Sequence, residues 1–150
     1  MESALKETDW EARLAGFVFF VPTALVLGVA RYLEPDDRGF GTHQQLGLGG
    51  CTFLEWTTLP CPMCGMTTTF SHMAHFQWGE AFQTQPFGVV LFLITISVCL
   101  IALSEMVRPK TVFPVFSRLF TAREGLWYVM LLIGMGSGWI YKIFSMKNWF

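Results

Sequence analysis

At 150 residues the chain has room for a single domain. Its composition is not that of a water-soluble one: 53% is hydrophobic, 16% aromatic and only 14% charged, where globular chains carry about 25% charged residues. A net charge of −1 without clustered Lys and Arg leaves no basic surface for nucleic acid, and four cysteines are too few for a disulfide-dense secreted scaffold.

The first apolar run, Leu14 to Ala30, lies between Arg13 and Arg31 and has no charged residue. A spanning helix needs roughly 17–25 residues, so this run is just long enough. Pro22 kinks such a helix, which is tolerated where neighbouring groups satisfy the freed carbonyl. A secretory signal ending at Gly28-Val29-Ala30 is the rival reading. The preceding segment opposes it, because Glu2, Glu7, Asp9 and Glu11 outweigh Lys6 and Arg13 and a signal begins basic. The run is therefore expected to stay in the protein as a span. Residues 34–50, EPDDRGFGTHQQLGLGG, follow as an irregular, glycine-punctuated loop with a solvated acidic start.

Cys51, Cys61 and Cys64 then fall within fourteen residues. Beyond Pro62, in MCGMTTTFSHMAHFQWGEAF (63–82), Met66, Phe70, Met73 and Phe76 or Gln77 recur every three to four positions. That spacing predicts an amphipathic helix lying at the membrane surface or dipping into it, closed by Gly79 and Gln83-Thr84-Gln85. Cys61 and Cys64 fall at or just before its start, where unsatisfied N–H groups and the helix dipole lower a thiol pKa.

Three chemistries suit this cluster. Cys61 and Cys64 have the spacing of a redox pair, although no βαβ pattern surrounds them as in a thioredoxin fold. They are also half of a tetrahedral zinc site, with Cys51, His72 and His75 as the remaining candidate ligands; the two histidines are three apart on one helical face. In an oxidising compartment two of the three cysteines form a structural disulfide.

The second apolar run spans 86–104 and the third 126–144, the latter with Trp127 and Tyr128 at one end and Trp139 and Tyr141 at the other, as interfacial aromatics are placed. Cys99, in the middle of the second run, reads as packing. Glu105 reads as a water-exposed edge residue. Lys142 and Lys147, with Trp149, read as interfacial anchors. Gly134-x-x-x-Gly138 offers a small-residue face for close helix approach, with Ala24-x-x-x-Gly28 as a candidate counterpart.

The expected fold is an all-α membrane protein: three transmembrane helices (14–30, 86–104 and 126–144) plus an amphipathic interfacial helix after a CPxCG turn. They form one membrane domain over 1–150. Lys6, Arg13, Arg108, Lys110, Arg118 and Arg123 fall on one side of these spans, against Arg31, Arg38, Lys142 and Lys147 on the other. The side richer in Lys and Arg is cytoplasmic, which leaves the cysteine-bearing segment 31–85 outside.

At these residues the sequence resembles the domain-of-unknown-function 2752 family, small multi-span bacterial membrane proteins. Cys51 stands for the family's upstream Cys, and Cys61-Pro62-Met63-Cys64-Gly65-Met66-Thr67 for its C-P-x-C-G-x-T core. Gly79, Ala81 and Pro86 stand for its lead into a membrane helix. The resemblance covers about residues 45–105. It implies a bacterial inner-membrane protein with a cysteine-bearing turn and no particular reaction. Thr68 departs from the pattern, since the family usually has Arg there.

No Asp, Glu, Lys or Arg lies near the centre of any span, as transport and proton relay require, and no Ser-His-Asp or paired-carboxylate pattern is present. The expectation is a non-enzymatic accessory or scaffolding subunit. It would be embedded in lipid, packed against partner membrane proteins or a second copy, with a loop stiffened by a disulfide or a structural zinc. Two alternatives stand beside it. One is a membrane thiol–disulfide oxidoreductase in which Cys61 attacks, Cys64 resolves and Cys51 shuttles. The other is a metal sensor or carrier using Cys51, Cys61, Cys64 and His72 or His75.

Overall fold

The computed structural model describes residues 2–109 and 124–147, and the side chains of 9–109 and 124–146. Every regular element among them is helical: α1 (Glu2–Tyr32), a 3-10 turn (Thr42–Leu46), α2 (Thr52–Thr57), α3 (Met66–Ala74), α4 (Trp78–Thr84), α5 (Pro86–Val107) and α6 (Glu124–Lys147). Three of these are long and apolar enough to cross a membrane, over Asp9–Tyr32, Pro86–Val107 and Glu124–Met146. The three expected spans are thus present, each reaching a few residues beyond its apolar run. Together they make the chain a multi-pass membrane protein. Lys110, Arg118, Arg123 and Trp149, invoked for orientation and anchoring, lie outside the described residues, as does the side chain of Lys147.

The chain divides into two compact units, Met1–Leu27 with Leu93–Tyr128, and Gly28–Phe92 with Val129–Phe150. In the first, α1 and α5 meet at small residues: a Cβ added at Gly16 would sit 2.9 Å from the Ala102 carbonyl oxygen, and Ala102 is buried. Glu105, expected at a water-exposed edge, is instead buried and engaged with other groups of the protein. In α1 the ring of Pro22 interrupts the helical ladder. The adjacent Thr23 hydroxyl donates to the carbonyls of Phe19 (2.7 Å) and Phe20 (3.0 Å) within the same helix.

The second unit holds the loop and its short helices. Two departures from the expected single helix over 63–82 matter. The helix begins after Gly65 and stops at Ala74, because Phe76 adopts a left-handed conformation (φ 62°). Gln77 N–H then bonds the His72 carbonyl (2.9 Å) and Phe76 N–H the Met73 carbonyl (3.2 Å), a helix stop usually built on glycine. Gly79, expected to end the helix, lies inside the next one.

The buried face of α3 is also not its apolar one. Thr68, Thr69, Ser71, His72 and Met73 point inward, while Phe76 is 79% exposed. The hydroxyls fit there because the loops bring partners to them. Thr68 accepts from the Thr42 hydroxyl (2.8 Å), which in turn accepts from the Asp36 N–H (3.1 Å), and Ser71 donates to the Leu33 carbonyl. Gly88 at the start of α5 lets α3 come close, since a Cβ there would meet Thr69 Cγ2 at 2.9 Å. Phe70 packs edge-on against Phe92, ring centroids 5.3 Å apart.

Candidate functional site

The cysteine turn begins at Pro60 and is closed by backbone hydrogen bonds from Cys64 N–H to the Cys61 carbonyl (2.9 Å) and from Met66 N–H to the Met63 carbonyl (3.1 Å). Gly65 follows with φ 84°. A side chain at this position is excluded by its left-handed backbone and by its surroundings: a Cβ would lie 2.7 Å from the Gly39 carbonyl oxygen and 3.1 Å from Lys142 Nζ.

Residues of α6 hold this turn in place. Trp139 Nε1 donates to the Pro60 carbonyl (2.7 Å) and Tyr141 OH to the Gln83 carbonyl (2.9 Å). Lys142 Nζ donates to the carbonyls of Gly39 (2.9 Å) and Thr84 (3.2 Å). Lys142 is therefore not the water-facing anchor its position suggested; it is 3% exposed and links the loop at Gly39 to the end of α4. Trp139 and Tyr141, expected as interfacial aromatics, spend their polar atoms on the same clamp.

Cys51, Cys61 and Cys64 are brought together around a cavity of about 280 Å³, which His43 and Glu55 also line. No disulfide joins any two of the four cysteines in this structure. Cys51 and Cys61 are half-buried and Cys64 is buried. The expected lowering of the thiol pKa at a helix start does not occur. Burial pushes Cys64 up to about 11, against a smaller opposing influence from the Lys142 ammonium, and burial likewise raises Cys61.

The two histidines are not added to the cysteines. His72, 6% exposed, shares a hydrogen bond between Nδ1 and Gln77 Oε1 (2.7 Å) and lines a separate cavity of about 430 Å³ beside Lys142 and Tyr141. His75 bonds the Ser71 carbonyl through Nδ1 (2.9 Å), and its Nε2 accepts from Arg31 Nη1 (2.8 Å). Both ring nitrogens of His75 are thus occupied. Among the described residues no three His, Cys, Asp or Glu side chains are grouped so as to hold a metal ion. The donor set considered for zinc does not fit this geometry. The wall of the larger cavity includes Arg38, whose bidentate pairing with Asp36 (3.0 and 2.7 Å) holds the Asp36 carboxyl below its ordinary range.

Of the small residues singled out, Gly134 and Gly138 receive Phe87, whose ring would overlap a Cβ at Gly134 and whose own Cβ would lie 3.0 Å from one at Gly138. A Cβ at Gly28 would meet nothing within 4 Å among the described residues. The close approach of α1 is made instead at Gly16, four residues after Ala12. That small-x-x-x-small spacing was as readable as the one chosen at Ala24 and Gly28. The Trp139 and Lys142 contacts had no comparable signal.

A family model described as "Protein of unknown function (DUF2752)" matches residues 51–99, which begin at Cys51, include the turn, α3 and α4, and end at Cys99 within α5. This is the family that the sequence resembles. No curated protein matches the chain, and no solved structure does.

Proposed function

We propose that the protein is a small accessory or scaffolding subunit of a membrane complex. Its first span would enter from the cytoplasm of a bacterial cell, and its cysteine-bearing segment 31–85 would face the exterior. The observation that carries this reading is how little of the spans is buried among the described residues: 6%, 22% and 11% of the three apolar windows. Lipid covers part of the remainder. Gly28 and Gly136, which meet nothing within 4 Å, offer notches where a partner's helix backbone approaches closely. The clamp from α6 onto the cysteine turn supports a rigid exterior platform, stiffened by a disulfide rather than by zinc.

Photo-crosslinking in native membranes tests this reading, with benzoylphenylalanine placed at Gly28 and at Gly136. The expected outcome is a discrete protein adduct of defined mass from both positions. Lipid adducts alone from both would overturn it.

The thiol–disulfide oxidoreductase reading rests on the same three cysteines. Burial raises the pKa values of Cys61 and Cys64, the attacking and resolving thiols of that reading, which makes them poor thiolates at neutral pH. Sustained oxidation of a reduced peptide dithiol by the purified protein with a ubiquinone analogue, lost in Cys61→Ser, would restore that reading.

A further inference from the structure

The larger cavity, of about 430 Å³, falls within the size range of small-molecule sites, about 300–1,000 Å³. Its floor and its rim differ in charge. Lys142, His72 and Thr84 are buried at the floor, whereas Asp37, Arg38 and Glu80 are exposed at the rim. Arg38 is already paired with Asp36 (2.7 Å), so the charge left over at the rim is that of Asp37 and Glu80.

Lys142 is the anomaly. Its ammonium has three N–H donors, two of which meet the Gly39 and Thr84 carbonyls. Those carbonyls satisfy hydrogen bonds but do not cancel a charge. Among the described residues no carboxylate pairs with Lys142, and the neighbouring Cys64 keeps its proton. A cation withdrawn from water without a counter-charge is costly. A negative group in the cavity, taking the third N–H, removes that cost.

A simple anion suits the floor but is repelled by the two rim carboxylates. A simple cation suits the rim but is repelled by Lys142. A ligand with a negative group at one end and an amine at the other matches both. The position of the cavity says what carries such a pair. Tyr141, Lys142, Ser145 and Met146 line it from the closing turns of the apolar span Glu124–Met146, at the depth of lipid headgroups.

We propose that this cavity binds the headgroup of an aminophospholipid of the phosphatidylethanolamine type, its phosphate on Lys142 and its amine toward Asp37 and Glu80. The phosphate accepts the remaining ammonium N–H, and the primary amine donates to the carboxylates, both as charge-assisted bonds. Lys142 ties Gly39 to Thr84 beside the cysteine turn, so the bound lipid also steadies that turn. The site does not depend on the accessory role proposed above, since a membrane-spanning chain in any role meets this lipid.

The test is native mass spectrometry of the full chain in detergent with equal amounts of phosphatidylethanolamine, phosphatidylcholine and phosphatidylglycerol of one acyl composition. One phosphatidylethanolamine per chain is expected to stay bound, preferred about tenfold over either of the others. Phosphatidylcholine has the phosphate but no amine N–H to donate, and phosphatidylglycerol has the phosphate but no cation. Equal retention of all three lipids, or of none, would overturn the proposal.

The rim is tested by the double variant Asp37→Asn, Glu80→Gln, whose side chains are exposed and carry no packing. Its preference for phosphatidylethanolamine should fall from about tenfold to about one; an unchanged preference would also overturn the proposal. Lys142→Met should lose the bound lipid, and where that variant fails to fold the double variant decides alone. Free phosphoethanolamine distinguishes the source. It should raise the thermal midpoint of the delipidated protein far less than the lipid does, and an equal rise would replace the lipid by a soluble amino-phosphate.

Discussion

Cys64 illustrates how a local rule yields to its surroundings. A thiol near a helix start is stabilised as thiolate by the dipole, but here its removal from water outweighs that gain, and its pKa rises from 9.0 to about 11. At pH 8 the thiolate fraction falls about 100-fold below that of an ordinary thiol, so iodoacetamide should label Cys64 in the folded protein at least about that much more slowly than after unfolding. The sign for stability follows. The folded state holds this proton more tightly than the unfolded chain, so the contribution is complete below pH 9 and is lost as the pH rises through about 11. Chemical denaturation at pH 8 and pH 11 in detergent should show that decline, and Cys64→Ala should flatten it.

Gly65 is the complementary case, where backbone geometry and crowding act together. Gly65→Ala adds a left-handed alanine and an overlap with the Gly39 carbonyl, at a cost of about 2–4 kcal/mol. The loss is expected as a lower midpoint in thermal denaturation of the detergent-solubilised protein.

Among the elements, α6 does most to position the site. Replacing Lys142 by Met keeps the length of the side chain and removes both donors, leaving the Gly39 and Thr84 carbonyls without that partner. The expected cost is about 2–4 kcal/mol, against about 1–2 kcal/mol for Trp139→Phe, which takes a single bond from the Pro60 carbonyl. Hydrogen exchange should localise the effect of both to the cysteine turn.

Glycines of two different spans separate packing from open surface. Gly134→Ala forces the Phe87 ring aside and should cost about 1–3 kcal/mol. Gly28→Ala in α1 should change stability by no more than about 0.5 kcal/mol, because nothing lies within 4 Å. Equal losses in unfolding experiments on the two variants would contradict this division.

For the whole molecule, the proposed orientation has a direct test. With three spans the C-terminal end lies on the side opposite the N-terminus. A reporter active only outside the cytoplasm should therefore give signal when fused after Phe150, and none when fused after Pro109. Reversal of those two signals would invert the topology and move the cysteine loop to the reducing side, where a disulfide does not persist.

The sequence by itself determined the helical class, the number of spans and the place of the cysteine cluster. These depend on composition and on the length of charge-free runs, which a bilayer imposes on any chain that crosses it. Leu14–Ala30 and the runs at 86–104 and 126–144 needed no knowledge of their neighbours. The interior of the loop did. Phe76 in a left-handed helix stop, the inward turn of Thr68, Thr69 and Ser71, and the burial of Lys142 all depend on partners remote in the chain: the Leu33 carbonyl, the Thr42 hydroxyl, the carbonyls of Gly39 and Thr84. The same holds for the thiols. Spacing pairs Cys61 with Cys64, but only the tertiary fold brings Cys51 to the cavity that they line. A polar side chain is placed by what can hydrogen-bond it, and that is settled by tertiary contact, whereas an apolar span is placed by its solvent.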